Sequence, residues 1–231
     1  MQAVDRGLSW LLRVTVTGAL IIGVVIPPML LRLINELSHT NDWFGWRIAL
    51  VILYFAAFLV VIGLASVVTR HYTGEQRWRP MKREDLGIVL TGYLAIIVCE
   101  SVFEIINRLV YHQTQTQNNA AIKSLMIGSP WAFWLMAFSA VFLTPIMEEM
   151  VFRGVLTNLF FKQEWLKILL SGLVFGSLHS SSTIPSFLIY VGMGLILASV
   201  YRLTGKLQDS ILLHFLINFG AMSIIVYSLL T

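Results

Sequence analysis

Two adjacent carboxylates, two histidines and an asparagine, all set in apolar runs, are the side chains of this sequence best suited to chemistry. The string Pro145-Ile146-Met147-Glu148-Glu149-Met150-Val151-Phe152-Arg153 places an arginine four residues beyond the second glutamate. On a helix Glu149 and Arg153 share a face, whereas Glu148 is turned by about 100° toward a different neighbour. In this division Arg153 neutralises Glu149 and orders the helix, leaving Glu148 for general-base work. Phe175 and His179 are also four residues apart, in a small-residue setting (Ser171-Gly172 through Gly176-Ser177) that lets helices approach closely. His214 and Asn218 repeat the spacing, so an imidazole N–H and an amide can be presented to one point. A single membrane histidine commonly serves helix association, and a charge cluster can simply end a helix. Two histidines accompanied by a carboxylate point instead to proton chemistry.

The elements that position these groups have to be membrane helices. The chain is 57% hydrophobic and 12% charged, where soluble domains carry roughly 25% charged residues, so no aqueous core can absorb its apolar side chains. A membrane span needs about 20 mainly apolar residues, and such stretches recur from end to end. They run from about Leu12 to Ile34, Ile48 to Val68, Leu86 to Val110, Trp131 to Phe152, Leu166 to His179, Ile184 to Tyr201 and Ser210 to Leu230. The expected fold is therefore all-α, a polytopic transmembrane bundle of about seven helices. The first stretch follows Arg6 and Arg13, but it is too long for a signal-peptide core and contains Pro27-Pro28, so it reads as a retained helix. Cys99 lies inside the third stretch and forms no intramolecular disulfide.

Basic residues set the expected orientation. Arg70, Arg77, Arg79, Lys82 and Arg83 crowd the loop after the second stretch, and Lys162, Lys167, Arg202 and Lys206 flank alternate later connections. By the positive-inside rule these loops face the cytoplasm, with the N-terminus, in what is expected to be a bacterial cell membrane. Cations dispersed in this way give no support to a nucleic-acid partner. The polar stretch His112–Asn119 reads as a solvated external loop, and it separates N-terminal accessory membrane helices (1–125) from a core (126–231) that holds every candidate residue. Glu100, Glu104 and Arg108 form a polar stripe read as structural, with Glu104 and Arg108 paired near the outer face. His39, His71 and His112 fall in loops. The candidate groups are expected to converge in the half of the bilayer nearest the basic loops, the more so if the fourth helix ends soon after Arg153.

Glu148-Glu149-x-x-x-Arg153, Phe175-x-x-x-His179 and His214-x-x-x-Asn218, in that order on three successive elements, resemble the three motifs of a known family. It is the CAAX protease and bacteriocin-processing group of intramembrane endopeptidases, also called the abortive-infection family. Tyr201-Arg202-Leu203-Thr204-Gly205-Lys206 is similar to the family's approach to its third motif. The resemblance covers about residues 130–220. It implies that Glu148 with His179 activates a water for attack on a peptide carbonyl, and that His214 with Asn218 stabilises the oxyanion, with Glu149, Arg153 and Phe175 in support. It also implies a peptide or membrane-protein substrate. A metal-free mechanism is expected, because no HExxH pair is present and Asn suits an oxyanion better than zinc; the alternative is a Zn²⁺ held by Glu148, His179 and His214. The competing function is a membrane scaffold or regulator that binds a sensor kinase or a bacteriocin-system partner without cutting it.

Overall fold

The computed structural model describes residues 2–37, 44–73 and 79–231, with side chains omitted for residues 2–8 and 44. His39 and Arg77 lie outside the described residues, and the Arg6 side chain is among those omitted. Every element among the described residues is helical. In order they are α1 (Gln2–Leu37), α2 (Phe44–Thr73), α3 (Arg83–Tyr111), α4 (Gln117–Met126), α5 (Pro130–Glu149), a π-helical segment (Met150–Leu156), α6 (Thr157–Leu159), α7 (Glu164–Leu178), α8 (Ile184–Thr204) and α9 (Leu207–Leu230).

Local sequence accounts for the boundaries. Thr116 caps α4 by accepting from Asn119 N, and Thr183 caps α8 by accepting from Ser186 N, each at 3.2 Å. Pro185 follows in the first turn of α8, where a missing N–H costs nothing. That helix ends at Gly205, whose φ of 63° suits a residue without a Cβ. Lys206 then reaches back, its ammonium donating to Asp85 and to Pro80 O (2.8 Å), and ties the start of α9 to the start of α3.

The structure is the all-helical membrane bundle the sequence predicts. Among the described residues six helices are long and apolar enough to cross a bilayer: Ser9–Leu37, Gly45–Thr73, Arg83–Tyr111, Pro130–Leu159, Ile184–Thr204 and Leu207–Leu230. The remaining stretch, Leu166 to His179, is the 15-residue α7. At 1.5 Å per residue it spans about 22 Å, short of the roughly 30 Å hydrocarbon layer. The chain turns at His179 and returns through α8, which packs along α7. The fourth membrane helix runs past Phe152, where the apolar stretch is expected to end. The π-helical segment carries it on to Leu159.

One apolar core joins both halves of the chain. It takes in Leu31, Tyr54, Phe58 and Ile96 from the first three helices with Met147, Phe152, Phe175, Leu197 and Leu213 from the later ones. Helices α1 and α2 pack on α5 and the π-helical segment, and α3 packs on α8 and α9. Two sequence expectations are corrected here. The stretch after Tyr111 is not simply a solvated loop: Thr116 is buried and its hydroxyl meets that of Tyr190 at 2.8 Å, and from Gln117 the chain is helical. Glu104 and Arg108 are both exposed and form no ion pair with each other, since solvent lets each charge remain separate at little cost.

The tightest helix contact is between α7 and α8. A Cβ on Gly176 would lie 2.5 Å from Val191 Cγ2 and 2.9 Å from Val191 N, and one on Gly194 would lie 2.9 Å from Gly172 Cα. Backbone cannot yield as a side-chain tip can, so Gly176→Val forces the hairpin apart, at a cost of about 1–3 kcal/mol. The expected result is a lowered thermal-unfolding midpoint in detergent for Gly176→Val. Gly63→Ala, where the new methyl enters open space, should leave the midpoint unchanged.

Candidate active site

The site begins with a disturbed helix. Pro145 lies inside α5 and lacks an N–H, which leaves the carbonyl of Val141 without its helical donor. Asn218 Nδ2 donates to the adjoining carbonyl, Ala140 O, at 2.8 Å, so α9 stitches the weakened turn. Directly after Glu149 the backbone widens into seven π-helical residues, Met150–Leu156. Such widening loosens the regular ladder and is found often at functional sites. Side chains compensate: Thr157 Oγ1 donates to Arg153 O (2.5 Å) and Asn158 Nδ2 to Gly154 O (2.8 Å).

Glu149 is the most heavily engaged residue of the cluster. Its Oε1 accepts from Arg153 Nη1 at 2.8 Å and lies 2.8 Å from His214 Nδ1, while its Oε2 accepts from Ser210 Oγ at 2.5 Å. Arg153 also donates Nη2 to Gly194 O (3.1 Å), and its guanidinium sits 4.5 Å from the centre of the Phe175 ring. Glu149 and Arg153 are both fully buried. Their opposite charges and shared hydrogen bonds offset a desolvation that neither could bear alone. The sequence-derived pairing of Glu149 with Arg153 is present.

Because a carboxylate held by an arginine can only accept, the hydrogen on the imidazole edge facing Glu149 belongs to Nδ1 of His214. Its other nitrogen, Nε2, is then directed at Glu148, with Oε2 at 3.8 Å. That Glu148 oxygen is buried and has no hydrogen-bond partner in the protein. Adjacent glutamates thus have opposite circumstances: one is saturated, the other has an oxygen left over.

His179 ends α7 and is fixed from three sides. Its Nδ1 lies 2.8 Å from Phe175 O, and its ring is 4.4 Å from that of Phe175 and stacks on Tyr190 at 4.5 Å, with planes 14° apart. A carbonyl accepts only, so Nδ1 carries the hydrogen and Nε2 keeps a lone pair. Phe175 is the common wall of the cluster, since the same ring also meets His214 at 5.8 Å.

Asn218 is placed differently from the sequence reading. Its amide is engaged at Ala140, eight residues or about 12 Å along α5 from Glu148, so it does not point with His214 Nε2 to a common spot. Depth also differs. Arg153 is level with Gly194, ten residues from each end of Ile184–Thr204 (194 − 184 and 204 − 194), so the cluster sits at mid-height and not in the half nearest the basic loops. His179, level with Tyr190, is six residues from Ile184 and fourteen from Thr204. Sequence reasoning missed Ser210 and Tyr190: a serine and a tyrosine in apolar helices carry no signal without their partners. Among the described residues no three His, Cys, Asp or Glu side chains stand close enough together to hold a metal ion.

The cluster falls in a region with recognisable relatives. Residues 130–220 match the family described as type II CAAX prenyl endopeptidase Rce1-like. The Rce1-like region begins at the first residue of α5 and contains Glu148, Glu149, Arg153, Phe175, His179, His214 and Asn218. Two relatives come from Lactococcus lactis subsp. lactis (strain IL1403). UPF0177 protein YbdI is 29% identical over 129 residues, 56% of this chain and 68% of its own length. UPF0177 protein YaiH is 26% identical over 227 residues, 82% of this chain and 94% of its own. No solved structure matches.

Removing the cation should expose what the cluster costs. Arg153→Met leaves Glu149 buried with fewer donors and is expected to destabilise the protein by about 3–5 kcal/mol. Adding Glu149→Gln should recover a substantial part of that loss. Thermal unfolding of the wild type and of both purified variants in one detergent measures both effects.

Proposed function

We propose that the protein is an intramembrane endopeptidase that hydrolyses a peptide or membrane-anchored precursor within a bacterial cell membrane. The observation that carries this reading is the buried, unpartnered Glu148 Oε2 at 3.8 Å from His214 Nε2. The match of residues 130–220 to the Rce1-like family supports the same reaction class.

In this mechanism Glu148 takes a proton from a water whose oxygen bonds to the peptide carbonyl carbon. His179 Nε2, fixed in its acceptor tautomer by Phe175 O, accepts a second hydrogen bond from that water and orients it. Negative charge collects on the former carbonyl oxygen and is met by Nε2–H of protonated His214. Glu149 makes that possible: a carboxylate on Nδ1 stabilises an imidazolium and holds the ring in place, as in other His–carboxylate pairs. The C–N bond then breaks as the proton held by Glu148 passes to the departing amine. Asn218 acts by fixing α9 to the turn before Pro145, and thereby setting His214 opposite Glu148. Low dielectric around the group strengthens every electrostatic contact in the sequence of steps.

Loss of a general base typically costs 10²–10⁴-fold, so Glu148→Gln should lower cleavage by about that factor while the protein still folds. His179→Ala and His214→Ala should each reduce turnover to background. The decisive measurement is mass spectrometry of candidate precursor peptides incubated with purified full-length protein, with and without a strong chelator. Undiminished cleavage by any of the three variants sinks the assignment, and a cellular phenotype that survives Glu148→Gln favours a non-proteolytic scaffold. Activity lost with the chelator and restored by Zn²⁺ would replace the metal-free scheme.

A further inference from the structure

Where α3 gives way to α4, an open polar cavity of about 320 Å³ is lined by Ser101, Glu104, Asn107 and Arg108 together with Gln115 and Thr116. Its wall is built into the support of His179. The hydroxyls of Thr116 and Tyr190 meet at 2.8 Å, and Tyr190 stacks on the His179 ring, so a single side chain separates cavity from imidazole. Asn107 Oδ1 accepts from Thr183 Oγ1 at 2.6 Å and Gln113 Oε1 accepts from Ser182 Oγ at 3.2 Å, fastening the turn that follows His179 to the same wall. Glu104 and Arg108 stand one turn apart on α3, at the spacing that ordinarily pairs such charges, yet they are unpaired.

We propose that this cavity docks the hydrophilic stretch of the peptide substrate, and that the stretch carries one acidic and one basic residue, which pair with Arg108 and Glu104. The proposal rests on the endopeptidase reading and adds to it a substrate class and a direction of entry, from the α3–α4 end of the bundle. An exposed Glu–Arg contact contributes at most about 1 kcal/mol, so keeping the two charges apart costs little and leaves both for a ligand. The volume lies at the lower end of the roughly 300–1,000 Å³ typical of small binding sites, enough for a few residues of extended chain and no folded partner. Distance favours the same end. His179 lies level with Tyr190, six residues of α8 from Ile184 and fourteen from Thr204, or about 9 Å against 21 Å. An extended peptide covers about 3.3 Å per residue, so the charged pair sits about three residues from the bond that is cut.

The test uses full-length protein in lipid nanodiscs and three fluorogenic peptides with one apolar cleavable stretch. Three residues from it they carry Lys-Asp, Asp-Lys or Ser-Ser. Wild-type protein should prefer one charge order over the other by about tenfold in kcat/KM, expressed in KM, with Ser-Ser poorest. The exchange Glu104→Arg with Arg108→Glu preserves net charge and should reverse that order, which a purely structural role for these residues would not do. The same peptides, labelled with fluorescein, are titrated against Glu148→Gln protein by anisotropy, with and without the exchange. If charge order governs anisotropy while nothing is cleaved, the docking site stands and the endopeptidase reading falls. Cleavage indifferent to charge order, a preference unmoved by the exchange, or no binding of any peptide at millimolar concentration overturns the docking site.

Discussion

A carboxylate without charge or hydrogen-bond compensation in a membrane interior costs several kcal/mol, and Glu149 avoids that penalty only because two neighbouring elements supply its partners while a third holds the arginine. Arg153 comes from the π-helical segment, Ser210 and His214 from α9, and Arg153 is itself held by Gly194 O of α8. None of these groups can drift without leaving a buried charge short of a partner. The constraint therefore fixes the relative positions of α5, α8 and α9 more strictly than apolar packing does, since apolar contacts tolerate small slides. It also explains the contrast between neighbouring glutamates. With the donors gathered around Glu149, Glu148 Oε2 is left facing His214 Nε2 without a hydrogen bond.

The path of α5 is shaped to the same end. Pro145 weakens one turn and the π-helical segment widens the next two, so the residues between them, including both glutamates, lie in the least regular part of a long membrane helix. Irregular backbone at this depth survives only where protein groups replace the missing ladder bonds. Thr157 supplies such a replacement, Asn218 braces the carbonyl beside the orphaned one, and Asn158 bridges to Gly154 O and to the Tyr201 hydroxyl. Asn158 and Thr157 also receive Arg202, joining this helix to the end of α8. Structural and chemical roles meet on α9, where Asn218, which braces the turn before Pro145, stands four residues from His214, which faces both glutamates.

The N-terminal helices contribute more than bulk. Helices α1 and α2 back the disturbed stretch of α5, and the buried contact between the Tyr54 and Ser139 hydroxyls joins α2 to α5 in an otherwise apolar interface. Helix α3 approaches from the other side and, through Asn107 and the cap of α4 at Thr116, steadies the turn that presents His179. Residues 1–125 thus support an imidazole that belongs to the Rce1-like region, although none of the three motifs lies in them.

The sequence alone determined the helical class, since apolar runs of membrane length admit no other backbone arrangement, and it determined which residues share a helix face. Glu149 with Arg153 and Phe175 with His179 follow from the 3.6-residue period, a property of one helix read in isolation. Tertiary structure decided everything that depends on a second helix. It gave His214 Nδ1 to Glu149, turned Asn218 toward Ala140, recruited Ser210 and Tyr190, and raised the cluster to mid-height. Periodicity states where a side chain points around its own axis. It says nothing of the rotation, slide and depth of the neighbouring helix, and at this site those are fixed by the hydrogen bonds that gather around the buried charge of Glu149.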